Sequence, residues 1–332
     1  MALSMQAMLD LLDDDARAAA EALLRDAPAP PYSQYGVPAV RAMFDGVSRS
    51  PAEIHVPEVL DLGVGTPDGE LTVRCYRPSL DRGLPVLMYV HGGGFVIGTL
   101  DGVDDLCRSL AVAAGCVVVS VEYRRAPEWV FPAAADDCLA VYDWLERRGD
   151  ELGIDPTRLA LAGDSAGGNL VLSVCTSLAA AGRPLPTCLV VAYPATSADF
   201  EGPSWEAFEH APVLCKADAE WFWAAYADAG ARRDPRAVPE VSTSLHSLPP
   251  MLVVSAEVDP LRSDYERFAE LVACAGGEVE VRRYDGVAHG FFTEVRTLRK
   301  ARRAVADTAD FLRTHFPREP VRADARLRWR RT

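Results

Sequence analysis

The sequence predicts an α/β fold in which helices flank a mostly parallel sheet. Seven runs of residues have the composition of β-strands, and most of those from residue 84 onward are separated by stretches that suit helices, such as 104–114 and 133–146. Alternating strands and helices are typical of parallel sheets covered on both faces, and near-continuous apolar strands fit that burial. The seven runs are LTVRCYRP (71–78), LPVLMYV (84–90), CVVVSVEY (116–123), RLALAG (158–163), CLVVAYP (188–194), PPMLVVSAE (249–257) and VEVRRYD (279–285).

Residues 1–50 contain no strand-like run and predict helices that form the first part of a cap. Apolar residues spaced along one helical face predict a helix over 1–26, and the prolines that follow end it. A short second helix is expected from Val40 to Phe44. An ordinary helix packed on the core is the alternative interpretation. The apolar positions are Met5, Met8, Leu9, Leu12, Ala16, Ala19 and Leu23.

Residues 51–316 form the predicted core, which an insertion at about 198–245 interrupts between two strands. The insertion is rich in aromatic residues and looks helical. At the carboxyl edge of the strands, where parallel sheets bind ligands, it would form the second half of the cap. The last segment, 317–332, has six arginines against two acidic residues and is interpreted as a flexible, solvated tail, with an anion-docking tail as the alternative.

Composition limits the partners of the chain. Its 332 residues carry a net charge of −14, and an acidic surface repels phosphates, so nucleic acid is not an expected partner. No apolar run reaches the roughly 20 residues that span a bilayer, so no membrane contact is expected. The eight cysteines form no C-x-x-C pair, which argues against a metal site. Without a secretory signal at the N-terminus, we expect a cytoplasmic protein.

The sequence Gly163-Asp164-Ser165-Ala166-Gly167 follows a predicted strand and precedes an apolar helical run. This is G-x-S-x-G in the strand–turn–helix context that raises a serine hydroxyl clear of a sheet. Free N–H groups at the start of the helix place partial positive charge near that hydroxyl. The pattern predicts Ser165 as a nucleophile, against the alternative of a tight turn with an inert serine.

The sequence His91-Gly92-Gly93-Gly94-Phe95 follows the strand run 84–90. Successive glycines allow backbone N–H groups to approach a substrate and to stabilise an oxyanion. We expect the donors to be Gly93 and Gly94, with the Ala166 N–H as the third, and His91 to orient the loop. A phosphate-binding loop is disfavoured, because no Lys-Ser/Thr follows and the spacing is not G-x-G-x-x-G.

A serine nucleophile needs a base, and the base needs a carboxylate. Of the six histidines, His289 alone lies in a loop between a late strand and a terminal helix. Asp259 falls just past the end of the strand run 249–257, whereas Glu257 and Asp264 are its nearby rivals. The resulting order of Ser165, Asp259 and His289 is that of the α/β-hydrolases.

Five segments, in this order, together resemble the hormone-sensitive-lipase-like family, which is family IV of the bacterial esterases in the α/β-hydrolase superfamily. They are HGGGF (91–95), EYRRAPE (122–128), GDSAGGN (163–169), LPPMLVVSAEVDPLRSD (248–264) and AHGFF (288–292). The resemblance covers about residues 35–315 and implies an α/β-hydrolase core with a helical cap. It also implies carboxylesterase activity, typically on short acyl chains, and frequently a homodimer.

Carried over position by position, the resemblance implies a nucleophile at Ser165, an acid at Asp259 and a base at His289. The oxyanion hole would be formed by the N–H groups at Gly93, Gly94 and Ala166. Two features depart from the family pattern, namely Arg125 and the arginine-rich tail at 317–332. Arg125 stands in the EYRRAPE segment where the family usually has leucine.

The sequence therefore predicts a serine carboxylesterase that acts on short-to-medium acyl esters through an acyl-enzyme, without a metal or other cofactor. A deacetylase or amidase that acts on a specific small metabolite is the alternative. A non-catalytic small-molecule receptor is disfavoured, because a histidine occupies the base position. Four residues of the cap are expected to line the substrate pocket, namely Phe44, Leu214, Trp221 and Phe222.

Overall fold

The computed structural model describes residues 2–26, 30–45 and 54–316. These residues contain an eight-stranded sheet in the order β1-β2-β4-β3-β5-β6-β7-β8, with helices packed against it, which confirms the predicted α/β class. The strands from β4 to β8 pair in parallel, whereas β1 and β2 pair antiparallel at one edge. The strands are β1 Glu58–Thr66, β2 Gly69–Arg77, β3 Leu84–Val90, β4 Val117–Val121, β5 Ile154–Asp164, β6 Leu189–Ala192, β7 Met251–Val258 and β8 Val279–Ala288.

All seven predicted strands form, and the central ones are buried along almost their whole length. The eighth strand, β1, is absent from the predicted set. It is an edge strand in which only Val64 is fully buried, and Gly63 and Gly65 interrupt its apolar residues. Burial on neither face leaves a strand without a clear hydrophobic signal in its sequence.

Ten α-helices occur in the described residues. The predicted helix at 104–114 forms within those bounds, whereas the one predicted at 133–146 continues to residue 152. Helix α4 packs against α10, and α5 packs against α6. The helices are α1 Met5–Asp10, α2 Asp14–Asp26, α3 Val37–Phe44, α4 Asp104–Ala114, α5 Ala133–Leu152, α6 Ala166–Ala180, α7 Pro203–Ala207, α8 Lys216–Tyr226, α9 Arg262–Cys274 and α10 Arg299–His315.

The prediction of one helix over 1–26 is wrong, because the segment divides into α1 and α2. The Asp13 N–H donates to the Gly286 carbonyl, at 2.9 Å, instead of to a carbonyl of its own helix. A tertiary contact to the loop after β8 thus overrides the continuous apolar periodicity of the segment. The second helix, α3, begins three residues before the predicted start at Val40.

The insertion predicted at 198–245 lies between β6 and β7 and holds α7 and α8. It contacts the front of the chain at two points. The Leu3 N–H donates to the Ala207 carbonyl at 3.0 Å, and the Ser33 N–H donates to Asp218 at 3.0 Å. The predicted basic tail, 317–332, lies outside the described residues. Within 2–26, 30–45 and 54–316, none of the helices has the length and apolar character needed to cross a membrane.

Candidate active site

Ser165 occupies the single-residue turn between β5 and α6. Its backbone has φ 52° and ψ −119°, a strained conformation that a non-glycine residue adopts only when its surroundings enforce it. The two glycines of the motif make the turn possible. A Cβ on Gly163 would lie 2.5 Å from the Gly167 backbone, and one on Gly167 would lie 2.0 Å from the Val90 carbonyl oxygen.

The structure brings Ser165, His289 and Asp259 into one chain of hydrogen bonds. Nε2 of His289 lies 3.0 Å from Oγ of Ser165, and Nδ1 lies 2.8 Å from Oδ2 of Asp259. The three side chains come from three separate loops at the carboxyl ends of β5, β7 and β8. The ring of Tyr193 packs beside the imidazole with its centroid 4.6 Å away, which fixes the plane of the base.

Asp259 is fully buried and its carboxylate is held from several sides. Oδ1 accepts the Leu261 N–H at 2.8 Å, and Oδ2 also accepts the Tyr265 hydroxyl at 3.2 Å. The two rival carboxylates have other partners, since Glu257 accepts the Gly286 N–H and Asp264 accepts the Trp205 indole N–H. Tyr265 is a site residue that sequence reasoning did not identify.

Asp164, the residue before the serine, is a second buried carboxylate that the sequence prediction did not use. Its Oδ1 accepts the Tyr89 hydroxyl at 2.6 Å and the Gly92 N–H at 3.0 Å. Burial raises the pKa of Asp164 despite these hydrogen bonds. The side chain therefore ties the strand that carries Ser165 to the first glycine of the HGGGF segment. The position of Asp164 inside the G-x-S-x-G motif is the sequence feature that could have identified it as a site residue.

The glycine loop, residues 91–98, has at Gly93 and Gly94 a backbone conformation and a close packing that favour glycine. Gly93 has φ 111° and Gly94 has φ 57°, and a Cβ on either would collide with Ile97 or with the Phe222 ring. The Gly93 carbonyl accepts the N–H groups of Val96 and Ile97, which folds the loop back on itself. The N–H groups of Gly93, Gly94 and Ala166 donate to no acceptor among the described residues, so they are available for a ligand.

His91 lies at the base of this loop and does not contact Ser165. Its Nδ1 donates to the Gly92 carbonyl at 2.7 Å, and its ring stacks on Tyr123 with centroids 4.4 Å apart. Burial lowers the pKa of His91, which keeps the ring neutral. The contacts of His91 suit the orienting role expected from the sequence.

The predicted pocket residues have different surroundings. The Phe222 ring occupies the space beside Gly94, and Trp221 packs on Phe222 with ring centroids 5.0 Å apart. Phe44 instead packs edge-on against Tyr32, with centroids 5.1 Å apart. Leu214 is partly buried against the core.

A cavity of about 400 Å³ opens between the front of the chain and the insertion. Val213 of the insertion lies near Gly290, next to His289, since a Cβ built on Gly290 would be 3.7 Å from the Val213 side chain. The lining residues are Met5, Pro30, Pro31, Glu209, His210, Cys215, Lys216, Ala217 and Glu220. Among residues 2–26, 30–45 and 54–316, no group of three or more His, Cys, Asp or Glu residues could hold a metal ion.

The sequence of the chain is similar to those of proteins named as ester hydrolases. A family profile for the α/β hydrolase fold matches residues 87–293. An ethyl acetate hydrolase of Pseudomonas putida is 38% identical over 265 residues, covering 78% of this chain and 83% of that protein. A carboxylesterase of Mycobacterium tuberculosis, NlhH, is 37% identical over 263 residues, covering 77% and 82%.

Solved structures of esterases have the same fold as this chain. A thermostable esterase from Pseudomonas putida superposes with a TM-score of 0.86 at 31% identity, over 93% of this chain and 98% of that one. A hyperthermophilic esterase from the archaeon Pyrobaculum calidifontis also gives a TM-score of 0.86, at 33% identity over 91% and 98%. With the fold, the five motifs and these relatives together, the chain belongs to the hormone-sensitive-lipase-like family of α/β-hydrolase esterases.

Proposed function

We propose that this enzyme is a serine carboxylesterase that hydrolyses short-to-medium acyl esters, with Ser165, His289 and Asp259 as its catalytic triad. The observation that carries the proposal is the continuous chain of hydrogen bonds from Oγ of Ser165 through the imidazole to a buried carboxylate. A serine hydroxyl is a weak nucleophile unless a base within hydrogen-bond reach removes its proton.

Acylation begins when Oγ of Ser165 attacks the ester carbonyl carbon and Nε2 of His289 takes the hydroxyl proton. Negative charge then develops on the former carbonyl oxygen. The N–H groups of Gly93, Gly94 and Ala166 stabilise that oxyanion, and each such donor contributes roughly 3–4 kcal/mol in related enzymes. Asp259 stabilises the imidazolium. The tetrahedral intermediate collapses as His289 donates its proton to the leaving alcohol.

Deacylation repeats the sequence with water in place of Ser165. Nε2 of His289 takes a proton from water, which attacks the acyl carbon, and the same oxyanion hole holds the second intermediate. Collapse of that intermediate releases the carboxylic acid and returns the proton to Oγ of Ser165. Every proton moves through one imidazole, so the chain's own side chains suffice for both half-reactions.

In this proposal, the N-terminal helices α1 to α3 and the insertion at 198–245 form a cap over the site. The Phe222 ring against Gly94 limits the space beside the oxyanion donors, which favours small esters. Similarity to a protein named for ethyl acetate supports the same size class.

The setting of the enzyme is also a proposal. Its eight cysteines are all free and seven of them are buried, which suits a reducing compartment such as the cytoplasm. A homodimer is implied by the family resemblance.

The test is hydrolysis of p-nitrophenyl esters of increasing acyl length by the wild-type enzyme and by Ser165→Ala. We expect acetate to butyrate to be the best substrates, and Ser165→Ala to lower kcat by about 10⁶ because the nucleophile is gone. Retention of most activity by Ser165→Ala would contradict the proposal. An acetanilide cleaved faster than the matched acetate ester would favour the amidase alternative.

A further inference from the structure

The glycine loop is held from outside by an ion pair between two segments that are far apart in the chain. Nη1 of Arg125 donates to Oδ2 of Asp45 at 2.5 Å and to the Gly98 carbonyl at 2.9 Å. Oδ1 of Asp45 accepts the Gly98 N–H at 2.8 Å. The pair therefore occupies both polar groups of Gly98, and only 22% and 15% of the Arg125 and Asp45 side chains are exposed.

Gly98 in turn packs against the start of the loop. It has φ 99°, and a Cβ at this position would lie 2.5 Å from Nδ1 of His91 and 2.6 Å from the Gly92 carbonyl oxygen. That carbonyl accepts the His91 Nδ1–H. The Gly92 carbonyl and the Gly93 N–H belong to one planar peptide unit, so the direction of one fixes the direction of the other.

A second arginine shows that the front segment docks on this loop. Arg41 of α3 donates from Nε to the Val96 carbonyl at 2.8 Å and from Nη2 to the Ala126 carbonyl at 2.9 Å. The Ala126 N–H donates to the Phe95 carbonyl at 2.9 Å. Asp45 is the C-cap residue that directly follows α3, so the ion pair lies at the same docking contact.

We propose that Arg125 and Asp45 are positioning residues for the oxyanion hole, which couple the direction of the Gly93 N–H to docking of α3. The inference rests on the proposed function. It gives a role to Arg125, where the sequence departs from the family pattern, since leucine at this position could make neither hydrogen bond.

The test compares Arg125→Leu, Asp45→Ala and the double variant with Arg158→Leu as the matched control. Arg158 likewise pairs with an aspartate, Asp155, and donates to a glycine carbonyl, but it lies in the first half of β5, before the part of the strand that leads into Ser165. We expect Arg125→Leu to lower kcat on p-nitrophenyl acetate about tenfold with KM nearly unchanged, less than the 10² lost with a whole oxyanion donor. The double variant should lose little more than either single one, because both act through Gly98.

A trifluoromethyl ketone, which forms an oxyanion on the serine, gives the readout that a merely structural role would not move. Its inhibition constant should rise by the same factor as kcat falls, while Arg158→Leu leaves both within about twofold. The inference is overturned if Arg125→Leu keeps the wild-type kcat, or if the inhibition constant of the ketone does not rise in that variant. It is also overturned if the fold-losses in kcat of the two single variants multiply in the double variant. If Arg125→Leu does not fold, the same two measurements on Asp45→Ala test the inference. In each of these cases the proposed function still holds if the wild-type enzyme hydrolyses the ester and Ser165→Ala does not. A wild-type enzyme without esterase activity would contradict both the proposed function and this inference.

Discussion

The carboxylate of Asp259 has one oxygen bound to a backbone N–H and the other shared between His289 and Tyr265. A carboxylate held in this way cannot rotate away from the imidazole. It fixes the tautomer in which Nδ1 carries the proton and Nε2 faces Ser165 as an acceptor. The orientation of the base therefore depends on a side chain that never touches the substrate.

Replacement of Asp259 by asparagine should test that dependence. An amide of the same shape can accept from Leu261 but can present an N–H to Nδ1, which favours the wrong tautomer of His289. We expect Asp259→Asn to lower kcat by about 10⁴ with little change in KM. Glu257→Gln is the control, because that carboxylate accepts the Gly286 N–H and not the imidazole. Equal activity of the two variants would contradict the assignment of Asp259.

The residues of the triad could be predicted because each one follows a recognisable strand or motif. Tyr265 and Tyr89 could not be assigned roles in the same way, and the partners of Asp164 could not be predicted. Their hydrogen bonds join positions brought together only by the sheet, such as Tyr89 on β3 and Asp164 at the end of β5. Local sequence carries no signal for a partner 75 residues away.

At the scale of elements, the insertion is fastened to the core through Trp205 on α7 and Asp264 on α9. The indole N–H donates to Oδ2 of the buried carboxylate at 2.8 Å, and Arg267 lies 3.5 Å from Oδ1. Burial raises the pKa of Asp264 to about 7, and the nearby Asp199 and Glu240 add to the rise while Arg267 opposes it. The contact between the two helices is therefore sensitive to pH.

The sign of this sensitivity follows from proton linkage. Between pH 3.8, which is the ordinary pKa of this carboxyl, and about pH 7, the folded protein keeps a proton on Asp264 that the unfolded chain has released. The free energy of unfolding therefore falls as the pH rises through this range. Asp264→Asn removes this dependence. We expect the free energy of unfolding of the variant, relative to wild type, to be higher at about pH 8 than at about pH 5. Urea titrations at both values check this, and a difference that does not vary with pH would contradict it.

Element boundaries were predicted well where burial is strong and poorly where a tertiary contact intervenes. The strands β3, β4 and β6 are apolar along their length because both faces are covered, and this is visible in the sequence. The exposed edge strand β1 lacks that pattern. The break between α1 and α2 depends on the carbonyl of Gly286, whose position no local pattern reveals.

Across the whole molecule, segments that are remote in the chain converge on the carboxyl edge of the sheet. The glycine loop receives contacts from α3 through Arg41 and Asp45, and from α8 through Phe222. The fold class could be predicted from the alternation of strands and helices alone. How the cap segments meet the loop could not, because it depends on single contacts such as Arg125 with Asp45.

Covalent labelling with a fluorophosphonate, followed by mapping of the modified peptide, tests the central claim most directly. The reagent reacts with a serine that a base activates and an oxyanion hole supports. We expect stoichiometric modification at Ser165 in the wild-type protein and none in Ser165→Ala. Absence of labelling, or modification of a different serine, would contradict the account.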